Sequence, residues 1–294
     1  MILTQDLLAH KPLFDFFLAR DERRVSCYHF SSVFAWQDFF RFTFEVIHDR
    51  LCVFAHQPQG CFLYTPPVGG GLDIATVEEC FKRMGKNRLA RVENICDNQL
   101  PALVCKEYNS RHKADEYIYR RQDIAGLRGN AYKSRRHDVN LAVRQYPIFE
   151  QYEDRYYQGC IALYERWAAQ RARCRDEDVH RAMLEDNRRV HALVIAHAGA
   201  LGLIGRVVII DGEVAAYTFG YPQNDHTFCV LFEVADLARP GLASYIFNRL
   251  CADEALGPFE FVNAMDDFGM PGVARAKELF HPVLKVALYT LTEI

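Results

Sequence analysis

The chain has 294 residues, half of them hydrophobic and a quarter charged, with 21 Phe and 15 Tyr. That balance belongs to a globular protein with a sizeable core and excludes a disordered, collagen-like or coiled-coil chain. Thirty-five Lys and Arg against 38 Asp and Glu leave a net charge of -3, which gives no global attraction to nucleic acid or an anionic membrane.

The 10 Cys include no CxxC pair, and most sit in apolar runs such as Leu51-Cys52-Val53-Phe54. A chain of this length does not need disulfide staples, so the thiols are expected to be reduced and buried and the protein cytoplasmic. The stretch Met1-Ile2-Leu3-Thr4-Gln5-Asp6 carries an acid where a signal peptide has a basic region. The longest uncharged run, Leu51 to Leu72, is broken by Gln57, Pro58, Gln59, Pro66, Pro67 and Gly69 to Gly71, so no transmembrane segment is expected.

In chain order, Leu3, Leu7, Leu8, Phe14, Phe17 and Leu18 fall near helical spacing, interrupted at Pro12. Phe30 to Phe40 reads as a short helix capped by Ser31 or Ser32. Arg41 to Val46 alternates, His48-Asp49-Arg50 turns and Leu51 to Ala55 runs apolar, which predicts a β-hairpin with Cys61 to Thr65 as a third strand. A helix over Ile74 to Met84, a strand over Leu89 to Ile95, a helix over Leu100 to Tyr108 and a strand from Glu116 to Tyr119 follow. Gly129 to Tyr146 is a basic helix closed by Pro147, and Ile148 to Tyr152 is extended.

Two helices come next, Tyr156 to Ala172 and Asp176 to Ala198. Strands are expected over Leu201 to Ile210, Val214 to Tyr221 and Thr227 to Val234, the first two joined by a tight Asp211-Gly212 turn. A helix over Gly241 to Ala255, a strand over Phe259 to Val262, a helix over Val273 to Phe280 and a strand over Val283 to Leu291 complete the chain. The second half therefore has the element order of the Gcn5-related acyltransferase fold, and the first half has a similar order. The expectation is an α+β protein of two tandem Gcn5-related N-acyltransferase-like domains, each a mixed, mainly antiparallel sheet flanked by helices. They would span residues 1–147 and 148–294, with the candidate site in the second.

Four clusters carry possible chemistry. On the basic helix, Tyr132, Arg136 and Asn140 share one face, beside an apolar stripe of Tyr132, Val139 and Val143. Arg136 and Asn140 would suit a phosphate, carboxylate or RNA backbone in a cleft, although spacing alone favours a solvated basic face. Arg166, Arg171, Arg173 and Arg175 lie at the end of the next predicted helix, where cations complement the helix dipole or extend a positive groove. Glu233 to Tyr245 passes from a strand into a helix N-terminus that could receive a phosphate. There Gly241 and Ala243 fit the acyltransferase loop [Gln/Arg]-x-x-Gly-x-[Gly/Ala], but Ala238 leads it and Arg239 comes one residue late. Glu233 itself is placed as a general base or as a strand-end ion pair. Finally, Asn263 to Lys277 delivers Asn263, the acids Asp266 and Asp267, and then Arg275 and Lys277. With no third carboxylate or His nearby, no metal site is expected. HExxH, GxGxxG, Walker A, GxSxG and cysteine–histidine zinc patterns are all missing.

Three stretches resemble the soluble bacterial proteins homologous to the C-terminal catalytic domain of phosphatidylglycerol lysyltransferase. They are Phe30 to Trp36 with Tyr64-Thr65-Pro66-Pro67, then Tyr132 to Asn140, and, most specifically, Asn263 to Lys277. Glu233, followed by Gly241, Tyr245 and Asn248, matches as well. The resemblance implies tandem Gcn5-related folds akin to the Fem peptidyltransferases, which move an aminoacyl group from charged tRNA to an amine or a lipid hydroxyl. It places Glu233 near the acceptor, Arg136 and Asn140 in the cleft, and Asp267 and Lys277 near the donor. Asp138 departs from the family, where His is common, and an anion there would repel a phosphate.

The expected activity is thus an acyl-group transfer with Glu233 and Asp267 as catalytic groups. Arg136, Asn140, Arg239, Gly241, Tyr245, Asn248, Asn263, Arg275 and Lys277 would bind substrate or donor. No bound cofactor is needed, since an aminoacyl ester is already activated. Aminoacyl-tRNA is the favoured co-substrate and acyl-CoA the alternative; tRNA and a small-molecule, peptide or lipid acceptor are the expected partners. A binding module that kept the fold and lost the chemistry is the reading from another class.

Overall fold

In the computed structural model, residues 2–3, 6–22, 24–104, 108–174 and 178–294 are described. The elements in chain order are β1 (Ile2–Leu3), α1 (Lys11–Leu18), α2 (Phe30–Phe34), β2 (Arg41–Ile47), β3 (Arg50–Gln57), β4 (Gly60–Leu63), α3 (Ile74–Met84), β5 (Val92–Cys96), α4 (Leu100–Val104) and β6 (Tyr108–Arg120). They continue with α5 (Arg121–Gly126), α6 (Lys133–Val143), β7 (Ile148–Gln151), α7 (Tyr157–Cys174), α8 (Asp178–Ala196), α9 (Ala198–Leu201), β8 (Ile204–Ile210), β9 (Glu213–Pro222) and β10 (Thr227–Ala235). Last come α10 (Leu242–Ala252), β11 (Phe261–Asp266), α11 (Pro271–Glu278) and β12 (Leu284–Glu293).

Both tight turns read from the sequence are there for a local reason. His48 and Asp49 have φ of 46° and 59°, and Asp211 and Gly212 have 55° and 81°, the left-handed pairs that match the twist of a two-residue hairpin. Pro12 opens α1 in its first turn, where its missing N–H costs nothing. The cap of α2 is neither Ser31 nor Ser32: His29 Nδ1 accepts the Ser31 N–H at 3.2 Å, two residues before the first of the predicted serines. The strand expected from Glu116 is longer, starting at Tyr108, and α5 was not expected at all. Asp176 and Arg175 lie outside the described residues, as do the side chain of Arg173 and residue Cys105.

The chain forms two compact units that interleave in sequence. Residues 1–117, 266–274 and 285–294 make the first, and 118–265 with 275–284 the second, so the division falls at 117 rather than at 147 and places the basic helix α6 in the second unit. The first unit has strands β1 to β5 side by side, then β12 and β6. All its pairings along β1–β4 are antiparallel, with β4–β5 parallel. Its core packs α3, through Val77, Cys80, Phe81 and Met84, onto Phe54, Leu63, Val92 and Ile95.

In the second unit the strand order is β11-β10-β9-β8-β7, with β7 to β10 antiparallel and β11 parallel to β10. These are mixed, mainly antiparallel sheets flanked by helices. Alternation along the strands gives the second sheet two apolar faces. On one, Tyr217, Phe219 and Val234 pack against Cys160, Leu163 and Tyr164 of α7 and Ile195 of α8. On the other, Val208, Ala216 and Ala235 pack against Ala142 of α6 and Leu242, Tyr245 and Ile246 of α10.

The joint between α6 and α10 is the tightest of these. Gly241 caps α10 with φ of 81°, and a Cβ there would stand 1.9 Å from the carbonyl oxygen of Asp138. Gly241→Ala therefore strains the backbone and pushes α6 off the sheet at once. We expect a loss of about 1–3 kcal/mol, read as a lower urea midpoint at an unchanged m-value.

Candidate functional site

β10 and β11 are hydrogen-bonded as parallel neighbours only at Thr227–Cys229 with Phe261–Asn263. Beyond that point they part. β10 carries a bulge between Val230 and Phe232 and runs on to Ala235, still paired to β9. β11 runs on to Asp266 through Met265, whose φ of 60° is left-handed and unfavourable for a long side chain. Asn263 fixes that departure: its Oδ1 accepts the Met265 N–H at 2.8 Å and its Nδ2 donates to Gln223 Oε1 at 2.9 Å. Lys277, reaching back from α11, donates its Nζ to the carbonyls of Ala264 and, at 3.1 Å, Met265. An ammonium thus serves carbonyls at the very stretch where β11 has left β10.

Glu233 stands on β10 past the point of divergence, directly across from Thr218 of β9. Its side chain is partly exposed, yet Oε2 is buried with no hydrogen-bond partner among the described residues. Burial pushes its carboxyl up to about 8, with the charge of Lys277 pulling the other way. A carboxylic acid that titrates near neutrality without an ion pair to neutralise it is equipped to take a proton from a nucleophile and return it. The same field raises the thiol of Cys251 on α10, which is buried first and repelled by Glu233 second.

The structure thus sets the charge of Lys277 near Glu233, and Lys277 and Asn263 both act on the Ala264–Met265 stretch of β11. The other sequence-derived residues have local employments. Asp267 is buried in the first unit, its Oδ2 accepting the Tyr117 hydroxyl at 2.9 Å and its Oδ1 the Gly269 N–H at 2.9 Å. Asn248 donates to the carbonyls of Ile124 (2.7 Å) and Ala125 (3.0 Å), closing the end of α5. Tyr245 is part of the core under α10. Arg239 reaches Asp211 Oδ2 at 2.9 Å on the surface, and Arg275 is exposed on α11.

On α6 the inward face differs from the one expected. Arg136 turns back to the carbonyls of Leu127 and, at 2.6 Å, Gly129, while Asn140 and Val143 are exposed. The residues facing α10 are Arg135, Asp138 and Ala142. Arg135 pairs with Asp138 Oδ2 at 3.0 Å and donates to Ser244 Oγ at 3.3 Å, with its guanidinium over the Phe280 ring. Ser244, in the first turn of α10, in turn donates to Asp138 Oδ2 at 3.2 Å. A carboxylate of the chain itself therefore occupies the electropositive end of α10. The i,i+3 spacing of Arg135 and Asp138 was the signal for this pair; nothing in the sequence marked Ser244, Thr218 or Gln223. The continuous groove from α6 to the arginines of α7 is not formed on one face. α6 covers the α10 side of the sheet and α7 the opposite side, where Arg171 lies against Trp167. Among the described residues, no group of three or more His, Cys, Asp or Glu is placed to hold a metal ion, and no helix is long and apolar enough to cross a membrane.

The family model described as phosphatidylglycerol lysyltransferase, C-terminal, matches residues 19–292. The chain belongs to that family. Among solved structures, a conserved protein of unknown function from Bacteroides thetaiotaomicron superposes with a TM-score of 0.85 at 24% identity, over 99% of each chain. The C-terminal domain of a chain described as a lysylphosphatidylglycerol synthetase, from Agrobacterium fabrum, gives 0.66 at 11% identity over 97% of this chain and 90% of that one. The L-PGS of Bacillus licheniformis gives 0.65 at 12% identity, over 86% and 84%. At these identities the likeness to the solved structures is one of fold. Among curated proteins no sequence matches.

The raised carboxyl of Glu233 fixes a pH dependence of stability. The folded protein holds a proton on Glu233 up to about 8, while the unfolded chain releases it near the ordinary glutamate value, so this group removes stability as pH rises between the two. Glu233→Gln is expected to match the native protein at pH 4. At pH 8.5 it should be more stable, by on the order of 3 kcal/mol, in parallel urea titrations.

Proposed function

We propose that this protein is an acyl-group transferase that moves an aminoacyl group from aminoacyl-tRNA to an amine or hydroxyl acceptor. The observation that carries the reading is Glu233, a partly exposed carboxyl at the divergence of β10 and β11 whose Oε2 is buried without a partner among the described residues. In this reading the acceptor N–H or O–H lies against Glu233, which takes its proton as the nucleophile attacks the ester carbonyl. The C–O bond to the tRNA ribose then breaks, and the proton goes to the leaving oxygen. β10 N–H groups without a β11 partner are suited to the oxyanion. Family membership supports the aminoacyl donor, and an activated ester needs no further cofactor.

The filled end of α10 supports aminoacyl-tRNA over acyl-CoA. A pyrophosphate at that helix would meet the Asp138 carboxylate and carbonyl already packed there. The non-catalytic reading expects Glu233 and Asp267 both buried in ion pairs, whereas Oε2 of Glu233 has no hydrogen-bond partner among the described residues and Asp267 accepts from Tyr117 and Gly269.

The test is binding and turnover with the purified full chain. Total tRNA should bind saturably, weakening steeply with salt, and Lys133→Ala with Arg144→Ala on the exposed side of α6 should weaken it further. Acetyl-CoA should not bind. With tRNA charged by radiolabelled amino acids, Glu233→Gln should lower transfer by about 10²–10⁴-fold with donor binding unchanged. Saturable acetyl-CoA binding without tRNA binding would overturn the reading.

A further inference from the structure

Thr218 and Glu233 are directly opposed on the antiparallel β9–β10 ladder, so their side chains share one face, separated by about 5 Å at Cβ. Thr218 is 0% exposed. Its Oγ1 is buried without a hydrogen-bond partner among the described residues, as is Oε2 of Glu233. Such an unmade bond is costly, and two on one ladder pair are a concentrated deficit. The fold does not relieve it. The core on the same face of β9 and β10 is built from apolar side chains, Ala216 and Ala235 with Leu242 and Ile246 of α10. Lys277, the cation that acts on Glu233, spends its Nζ on two main-chain carbonyls.

What is missing is a donor for each oxygen, and one group with two hydrogens to give serves both; if that group is a cation, it also draws Glu233 into its carboxylate form. We propose that Thr218 and Glu233 form an acceptor subsite specific for a primary amine, with Thr218 Oγ1 and Glu233 Oε2 each receiving one N–H of the incoming ammonium. An alcohol has one O–H and no charge, so it satisfies only one of the two oxygens. The inference rests on the transferase reading and narrows its acceptor from amine or hydroxyl to amine. Glu233 is the partly exposed member of the pair, so turning its side chain admits the amine to both oxygens.

Chemically, the bound R–NH3⁺ passes one proton to the Glu233 carboxylate and becomes R–NH2. The nitrogen lone pair attacks the carbonyl carbon of an activated acyl ester, the C–N bond forms, the ester C–O bond breaks, and a second nitrogen proton goes to the leaving oxygen. The raised affinity of Glu233 for protons narrows the uphill gap of the first transfer to roughly two pKa units, against about six for an ordinary carboxyl facing a primary alkylamine.

The experiment observes the Glu233 side-chain carbon by NMR in full-length protein labelled with ¹³C-glutamate, the signal being assigned by its loss in Glu233→Gln. n-Propylamine hydrochloride and n-propanol are the probes, matched in shape and differing in the head group. Propylamine should shift the signal saturably and lower the pH at which Glu233 titrates, because a bound cation favours the carboxylate; propanol should do neither. Thr218→Val, which keeps the shape and removes the hydroxyl, should weaken propylamine at least about tenfold, and Thr218→Ser should restore it. The valine variant should melt no lower than the native protein, since a buried orphan hydroxyl is removed.

Equal shifts by the two probes, no saturable shift by the amine, or native propylamine affinity in Thr218→Val would overturn the proposal. The donor plays no part in this measurement. Amine binding without transfer from any charged tRNA would sink the transferase reading alone, while transfer with no amine preference would sink the subsite alone.

Discussion

β10 and β11 hold each other only as far as Cys229 and Asn263, and every main-chain group beyond must find another partner or stay open to one. The rest of the second unit is arranged around that parting. The bulge in β10 turns the strand aside, Asn263 ties down the left-handed Met265, and Lys277 serves the carbonyls of Ala264 and Met265. Satisfying one strand's carbonyls with a side chain leaves the edge of the other strand available. The gap is a feature the chain spends a buried amide and a half-buried ammonium to keep.

Within that gap the electrostatics have one unresolved member. Two half-buried carboxylates of the second unit have a cation in close contact, Asp253 with Arg206 at 2.6 Å and Asp138 with Arg135 at 3.0 Å. Glu233 has a cation near enough to moderate its titration but bonded elsewhere. Desolvation is therefore not repaid within the fold, and the proton affinity of the group rises into the range where base catalysis operates. The α10 end shows the opposite economy. There a helix terminus that could hold an anion is closed by the chain's own Asp138, with Arg135 and Ser244 completing the pair. One potential site is left open and the other filled, and that asymmetry orients the reading toward a donor not held by a pyrophosphate.

Much of the architecture was legible from local signals, because those signals act over a few residues. The Asp211-Gly212 hairpin needs two left-handed residues, and Asp73 accepting the Thr76 N–H at 2.9 Å starts α3 where its apolar periodicity begins. The antiparallel run β8 to β10, then α10, β11, α11 and β12, came from alternation and spacing in the same way. The motif Asn263 to Lys277 was found as a string, and two of its members, Asn263 and Lys277, do act at one point. Asp267 lies in the same string but in the other compact unit, held by Tyr117 and Gly269, which no linear spacing reveals. The face of α6 was misjudged because a helix with charges all round has no periodicity to orient it; Arg135 and Asp138 point inward only because Gly241 lets the helix approach.

By itself the sequence determined the α+β class, the order of elements, the family and the candidacy of Glu233, since each rests on local periodicity or on a contiguous motif. The tertiary structure decided what pairing across strands decides. It divided the chain at residue 117 with the C-terminal segments shared between units, parted β10 from β11, closed the end of α10, and set Thr218 opposite Glu233. A residue on β9 and one on β10 become neighbours only when the hairpin register is fixed, and a carboxyl acquires its proton affinity only when the surrounding core takes its water away.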